Sequence, residues 1–317
     1  MIRPPALRPG ARVALVAPAG PLPEGAVDRA AERVREWGWE PVAGEFCRGR
    51  CGFLSGTDEQ RAADLQAALR APDNDAVWCL RGGYGTMRIL DRIDWAPLAE
   101  RPRPLIGFSD NTALHLALFR RGLVSFHGPH PATPELPEFS RDGLLRVLTR
   151  PEPAGMLPFP ADGPQRADTL VPGAAEGPLV GGNLALLAAL AGTPWALRAE
   201  GAILFLEDVG EASFRVDRML SQLLLSGALD GVAGVAVGAF SESPDEGRAD
   251  YPSSADVVAE RLGPLGVPVA FGFPFGHIDE SWTLPLGVRA RLDADAGTLA
   301  LLEPAVCPPA GRDGRSG

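Results

Sequence analysis

Residues 105–118 read LIGFSDNTALHLAL. An apolar run stops at Gly107, Ser109 follows, and an apolar helix pattern starts at once. A buried strand that turns sharply into a helix is the repeating unit of an α/β fold. The chain before this stretch repeats the unit. ARVALVAPAG reads as a short buried strand entering a turn, and EPVAG as a second strand. VDRAAERVREWG puts Val27, Ala30, Ala31 and Val34 on one helical face and stops at Gly38. TDEQRAADLQAALR opens on Thr57 and carries Gln60 three residues later, the spacing of a capping box. DAVWCLRGGYG is a strand that runs into a glycine-rich turn. Alternation of this kind, with strands apolar on both faces, predicts a parallel sheet covered by helices on both sides.

The texture changes between 129 and 178. HPATPELPEF, TRPEPAGMLPFPADGPQ and VPGAAEGP are rich in proline and weakly periodic. A helix is expected over 140–150, and otherwise a connection between domains. A second α/β unit follows. NLALLAALAG, FRVDRMLSQLLLSGAL and SSADVVAERLGPLG read as helices, GAILFLEDVG and GVAGVAVGAF as strands, VPVAFGFPFGH as strand and loop, and RARLDADAGTLALL as a hairpin. The expected organisation is an N-terminal α/β domain over 1–128, a proline-rich connection over 129–178, a second domain over 179–305, and a flexible tail over 306–317.

With 317 residues, 45% of them apolar and 22% charged, the chain suits a globular protein of two domains or one large one. The net charge of −10 disfavours nucleic acid and anionic membrane as partners, because both need clustered cations. All 30 basic residues are arginine. The lack of lysine excludes a Schiff-base lysine, a P-loop lysine and a Ser–Lys dyad. Cys47, Cys51, Cys79 and Cys307 form no CxxC pair, so neither a zinc site nor a disulfide framework is indicated, and a reduced cytoplasmic protein is expected. The arginine-bearing start and its Ala-Pro-Ala faintly resemble a signal peptide, but the apolar run at 13–17 is short and reads better as the first strand. No stretch approaches the roughly 20 apolar residues of a membrane-spanning helix.

In open α/β sheets, sites form at the carboxyl ends of strands. Ser109, Gly82 with Gly83, Glu207 and His277 all fall at such ends. Ser109 has two readings. It caps the helix that follows, as Ser, Asp and Asn commonly do, or it is a nucleophile on a tight turn, with helix-start N–H groups near a developing oxyanion. A serine nucleophile needs a base, and the chain has four histidines. His115 sits on the helix after the turn and is expected to pack elsewhere. His127 and His130 form H-G-P-H, expected on a loop; the spacing could suit a metal, but no third ligand is apparent. His277, in FGFPFGHIDE, lies where a sheet would deliver it to a site. Glu207 and Asp208 end a very apolar strand. They are a solvated pair, or Glu207, at the end of a buried strand, orients a histidine. The turn R-G-G-Y-G lacks the spacing of a nucleotide fingerprint. Its better use is close backbone approach: the N–H of Gly82 or Gly83, with that of Asp110, could form an oxyanion hole. Arg81 could hold a substrate carboxylate, or make an ordinary ion pair.

VALVAPAG, RGGYGTMRIL, LIGFSDNTALHLAL, FHGP, GGNLALLAAL, LFLEDVGEASFRVDRMLSQLL, FGFPFGH and TLPLG, in this order over about residues 12 to 292, together resemble the LD-carboxypeptidases. This serine peptidase family contains the muramoyltetrapeptide carboxypeptidases and the microcin C self-immunity peptidases. The resemblance implies a flavodoxin-like or Rossmann-like N-terminal domain joined to a C-terminal α/β domain with a β-rich core, and a site between them. It implies a Ser-His-Glu triad of Ser109, His277 and Glu207, with backbone oxyanion donors at Asp110 and the Gly82–Gly83 turn. It implies a homodimer that removes terminal D-alanine from murein tetrapeptide in the cytoplasm, with no metal and no cofactor. Asn111 stands where isoleucine or threonine is commoner in the family, and His130 where methionine is commoner. Two rivals remain: a microcin-type peptidase that cleaves a nucleotide-linked aspartyl amide, with Trp195 or Trp282 as an adenine platform, and a non-catalytic two-lobed binding protein.

Overall fold

A computed structural model describes residues 1–309. The first half runs β1 (Arg12–Val16), α1 (Ala26–Glu36), β2 (Glu40–Ala43), α2 (Asp58–Arg70), β3 (Ala76–Cys79), α3 (Ala96–Glu100), β4 (Leu105–Gly107), α4 (Thr112–Phe119) and β5 (Ser125–His127). Then come α5 (Glu138–Thr149), β6 (Gly155–Met156), β7 (Asp168–Val171), β8 (Ala174–Asn183), α6 (Leu184–Ala189), β9 (Ile203–Val209), α7 (Ser213–Leu225), β10 (Gly234–Ser241), α8 (Ser254–Leu262), β11 (Val269–Phe271), β12 (Leu284–Leu286), β13 (Arg289–Asp293) and β14 (Thr298–Leu301). Local sequence explains several ends. Thr57 accepts the Gln60 N–H at 3.3 Å and donates its own N–H to Gln60 Oε1 at 2.9 Å, which completes the expected capping box. Such a cap stabilises a helix by about 1 kcal/mol.

The first sheet has the order β12-β5-β4-β3-β1-β2. β1 to β5 run parallel, and β12 closes one edge antiparallel to β5. Without β12 the order is 2-1-3-4-5, that of flavodoxin-like folds, whose crevice opens where the strand order reverses between β1 and β3. At that point Gly20 N–H donates to Gly82 O at 3.0 Å. The second sheet has the order β6-β14-β13-β8-β9-β10-β11-β7. Its parallel centre, β8 to β11, is flanked by antiparallel β7 on one side and by β13, β14 and β6 on the other.

Two features differ from the expectation. β12 lies in the second half of the chain yet pairs Leu284 with His127, so residues 1–128 alone do not complete the first sheet. The connection expected over 129–178 holds the helix expected there, which is α5, but also the strands β6 and β7 and the start of β8. These strands are short or glycine-bearing, and β6 and β7 lie at sheet edges, where proline-rich flanks cost no ladder bonds. Their partners are far along the chain: Ala174 pairs with Asp293, and Val171 with Val269. Local periodicity therefore carries little of the signal. Of the tail expected at 306–317, residues 310–317 lie outside the described residues, while Val306 is buried and Cys307 bridges to Pro5.

The two sheets share a core. α4 is buried from Thr112 to Leu118, on every side. A helix apolar all round has to be covered all round. Here β4 and β5 cover one side and the end of β8 another: Asn183 N–H donates to Thr112 Oγ1 at 3.0 Å. One apolar cluster joins Leu105 and Leu114 to Leu184, Leu204 and Leu206. The carboxyl ends of β4 and β9 thereby face a common space.

Candidate active site

Ser109 has φ +61°, one of two non-glycine residues with positive φ among the described residues. A left-handed serine costs about 1–2 kcal/mol, and such strain collects at turns that present a side chain. The hydroxyl caps nothing: α4 has no side-chain cap bond at its start. The polar residues behind Ser109 tie its turn to the glycine loop instead. Asp110 Oδ2 accepts the Thr86 N–H at 2.8 Å, and Asn111 Nδ2 donates to Arg81 O at 3.2 Å and to Phe108 O at 3.1 Å.

The glycine loop lies directly against the serine. A Cβ on Gly82 would stand 2.8 Å from Ser109 Cβ, 3.0 Å from its Oγ and 3.3 Å from the Asp110 nitrogen. Only glycine permits this approach. Gly83 faces Gly20 instead, whose Cα would lie 3.5 Å from an added Cβ. Buried Arg61 holds the loop from beneath. It donates to Pro18 O and, at 2.8 Å, to Gly85 O, and pairs with Asp58. Arg81 is exposed, with one guanidinium N–H donated to Pro21 O.

Glu207 ends the apolar run of β9 and is fully buried. Its Oε2 accepts the Nδ1–H of His277 at 2.7 Å. Gly276 makes room for this bond: its φ is +116°, and a Cβ there would lie 2.9 Å from Glu207 Oε2. Ser241 Oγ donates to His277 O at 3.0 Å and fixes the loop. The imidazole packs on Phe108, the residue before Ser109, with ring centroids 4.8 Å apart. Among the described residues no hydrogen bond joins Ser109 Oγ to His277. Such links often tighten only when substrate binds. Burial by itself would lower the His277 pKa, but the hydrogen bond and charge of Glu207, with Asp208 and Glu242 adding, raise it above histidine's ordinary 6.5. Asp208 turns the other way. It accepts from Asn183 Nδ2 and from the Ala185 N–H, both at 2.8 Å, and so ties the start of α6. Burial, then the Glu207 charge, raises its pKa to about 6. Of the acidic pair, only Glu207 meets the histidine.

The other histidines gather on the same side of β4. His115 packs inside, bonded to Gly107 O at 2.7 Å and Ser125 Oγ at 2.9 Å. His130 Nδ1–H donates to Cys79 O at 3.1 Å, and its ring lies 4.5 Å from that of Phe108. His127 ends β5 rather than lying in a loop. Among the described residues no group of three His, Cys, Asp or Glu is placed to hold a metal ion. Three participants escape sequence reasoning: Phe108 as a bed for the imidazole, Arg61 as a clamp, and the Asp110 side chain as a cross-link. The S-D-N run is the only local trace of them, and it reads equally well as a cap.

Residues 13–128 match the family model of the LD-carboxypeptidase N-terminal domain, and 176–292 that of the LD-carboxypeptidase C-terminal domain. The chain belongs to the LD-carboxypeptidase family. It is a serine-type carboxypeptidase. A murein tetrapeptide carboxypeptidase of Pseudomonas aeruginosa is 36% identical over 90% of this chain and 94% of that protein. The crystal structure of a muramoyltetrapeptide carboxypeptidase from Oxalobacter formigenes is 33% identical, with a TM-score of 0.79 over 95% of this chain and 100% of that one. The microcin C7 self-immunity protein MccF, solved with aspartyl sulfamoyl adenosine, is 25% identical, with a TM-score of 0.84 over 96% of this chain and 100% of that one. In this LD-carboxypeptidase, if the Gly82–Gly83 turn supplies an oxyanion donor as expected from the sequence, Gly82→Ala lowers kcat by about 10²–10³, the effect of a misplaced donor. The added methyl displaces either the loop or Ser109, and Arg61 and Asp110 hold both in place. Steady-state kinetics with a folded variant check this; a kcat near wild type would separate the loop from the chemistry.

Proposed function

We propose that this LD-carboxypeptidase removes the terminal D-alanine of a murein tetrapeptide, with Ser109, His277 and Glu207 as its triad. The observation that carries the proposal is the 2.7 Å hydrogen bond from His277 to buried Glu207, beside a serine held in a strained turn. With Nδ1–H donated to the carboxylate, the imidazole offers its Nε2 lone pair as a base. Ser109 Oγ attacks the amide carbonyl that joins the L-centre of the diamino acid to D-alanine, and its proton passes to His277. The N–H groups of Asp110 and of the Gly82–Gly83 turn bind the oxyanion. The tetrahedral intermediate collapses, the C–N bond breaks, and the imidazolium gives its proton to the departing amine. Water, deprotonated by the same histidine, then hydrolyses the acyl-enzyme. Arg81, exposed at the loop, is suited to the terminal carboxylate of D-alanine. Residues 1–128 carry the nucleophile and 179–305 the other two groups.

The murein reading is supported by the greater identity to the two murein peptidases than to the microcin protein. The same reading places the protein in the cytoplasm, as a homodimer. Free thiols at all four cysteines suit a reducing compartment, and no helix among the described residues is long and apolar enough to cross a membrane.

The deciding experiment is D-alanine release from a purified murein tetrapeptide, with and without a chelator, beside an aspartyl amide linked to a nucleoside. Release from the tetrapeptide that survives chelation supports the proposal. Turnover of the nucleoside amide alone would move the enzyme to the microcin type. The pH profile gives a second check. His277 works as a base only when neutral, and its pKa is raised. kcat/KM is therefore expected to rise with pH along an acid limb whose midpoint lies above 6.5, followed across roughly pH 5 to 9. A limb centred well below 6.5 would contradict the pairing with ionised Glu207.

A further inference from the structure

A cavity of about 330 Å³ opens beside the candidate triad, between Phe108 and Gly276, the neighbours of Ser109 and His277. Its wall includes His127, which is 98% buried by a relative exposure of 2%. Neither ring nitrogen of His127 has a hydrogen-bond partner among the described residues. Buried polar side chains are almost always bonded, so an unpartnered imidazole facing a cavity marks a place kept for a ligand group. Burial, reinforced by His115, His277 and His130, holds its pKa far below the ordinary range, which keeps the ring neutral and able to accept a hydrogen bond.

The charged side chains that line the cavity are both acidic. Glu135 and Asp279 stand at its exposed mouth. Among the described residues no arginine lines it, and the chain has no lysine. Among the lining side chains a carboxylate that entered would meet two carboxylates and no cation; Arg33 donates instead to the wall carbonyls Thr133 O, at 2.9 Å, and Pro134 O, at 3.3 Å. An ammonium group would meet two counter-charges and a neutral ring nitrogen. Phe108, Leu136 and Ile278 supply an apolar flank for the methylenes that lead to such a group.

We infer that this cavity is the subsite for the side chain of the diamino acid, and that it selects a side chain ending in an ammonium alone, of the lysine class, over one that also bears a carboxylate, of the meso-diaminopimelate class. This rests on the murein reading above. Glu135 and Asp279 pair with the ammonium at the mouth, and His127 accepts a hydrogen bond from the ligand within.

The test compares D-alanine release from two tetrapeptides that differ only at the third residue, L-lysine or meso-diaminopimelate, with the Nε-acetyl-lysine peptide as a third. kcat/KM is expected to be about tenfold higher for the lysine peptide than for either of the others, mostly through KM. In the double variant Glu135→Gln, Asp279→Asn, both exposed sites, the lysine advantage collapses to within about twofold, while the acetylated peptide is cleaved as by the wild type. His127→Asn raises KM for the lysine peptide, and a melting curve shows that it is folded. Equal turnover of the lysine and diaminopimelate peptides, or a preference that survives the double variant, would overturn the inference and leave the murein activity standing. Failure of all three peptides to release D-alanine would overturn the murein reading and the inference together.

Discussion

Ser109→Ala is expected to lower kcat/KM for D-alanine release by about 10⁴-fold or more while the protein stays folded. The size follows from the proposed role: without a nucleophilic hydroxyl there is no acyl-enzyme, and only the proposed oxyanion donors and binding remain. The stability follows from the surroundings. Among the described residues Ser109 Oγ caps no helix and makes no hydrogen bond to His277, so its removal breaks neither a cap nor a side-chain bond to the histidine. The melting temperature should then move by no more than a surface substitution does, about 0.5 kcal/mol in stability. Ser109→Gly separates the two effects further. It should be equally inactive yet more stable, by about 0.5–1 kcal/mol, because glycine adopts the +61° φ without the strain that serine carries. Full activity in the alanine variant would sink the nucleophile assignment and leave Ser109 as a residue of the turn alone.

On its proposed role, Glu207→Gln should lower kcat by about 10⁴-fold, the loss expected when a group that orients a catalytic imidazole keeps its shape and loses its charge. Two observations make the effect large here. The carboxylate is fully buried, so nothing from solvent can replace its charge, and Oε2 is the histidine's partner at 2.7 Å. An amide in its place can turn its NH₂ toward Nδ1 and favour the wrong tautomer. The His277 pKa, now raised chiefly against burial by Glu207, would drop, so the acid limb of kcat/KM shifts to lower pH as the plateau falls. Stability should not fall with activity. Glu207 Oε1 has no hydrogen-bond partner among the described residues, and an unsatisfied buried carboxylate oxygen is costly, so the neutral amide removes a penalty along with the ion pair. A variant with kcat within tenfold of wild type and an unshifted acid limb would show that Glu207 does not act on the histidine.

Much of the fold can be read locally. The apolar strands β1, β3, β9 and β10, the face of α1 and the Thr57–Gln60 box all follow from residues within a few positions of one another, because helix caps and amphipathic periods are short-range effects. Ser109, Glu207 and His277 are likewise visible, each at the end of an apolar run. β12 is not. TLPLG has no period of its own and becomes a strand only because Leu284 finds His127 across the first sheet. The same holds for β7 and the first turn of β8, whose register depends on residues about a hundred positions away.

The sequence by itself determined the alternating α/β plan, the acidic lysine-free surface chemistry, and the residue types able to act as nucleophile, base and orienter. Taken residue by residue, it left open whether S-D-N caps a helix or builds a turn, and whether Glu207 is a solvated strand end or faces a histidine. Tertiary structure decided both. β8 lies over the start of α4, Gly276 passes against Glu207, and Thr86 and Arg81 take up the side chains of Asp110 and Asn111. The physical reason is one of range. Propensity and capping act within a helical turn, whereas the direction of a buried carboxylate is set by whichever donors and backbone the packed sheets bring within 3 Å, and no local pattern encodes that.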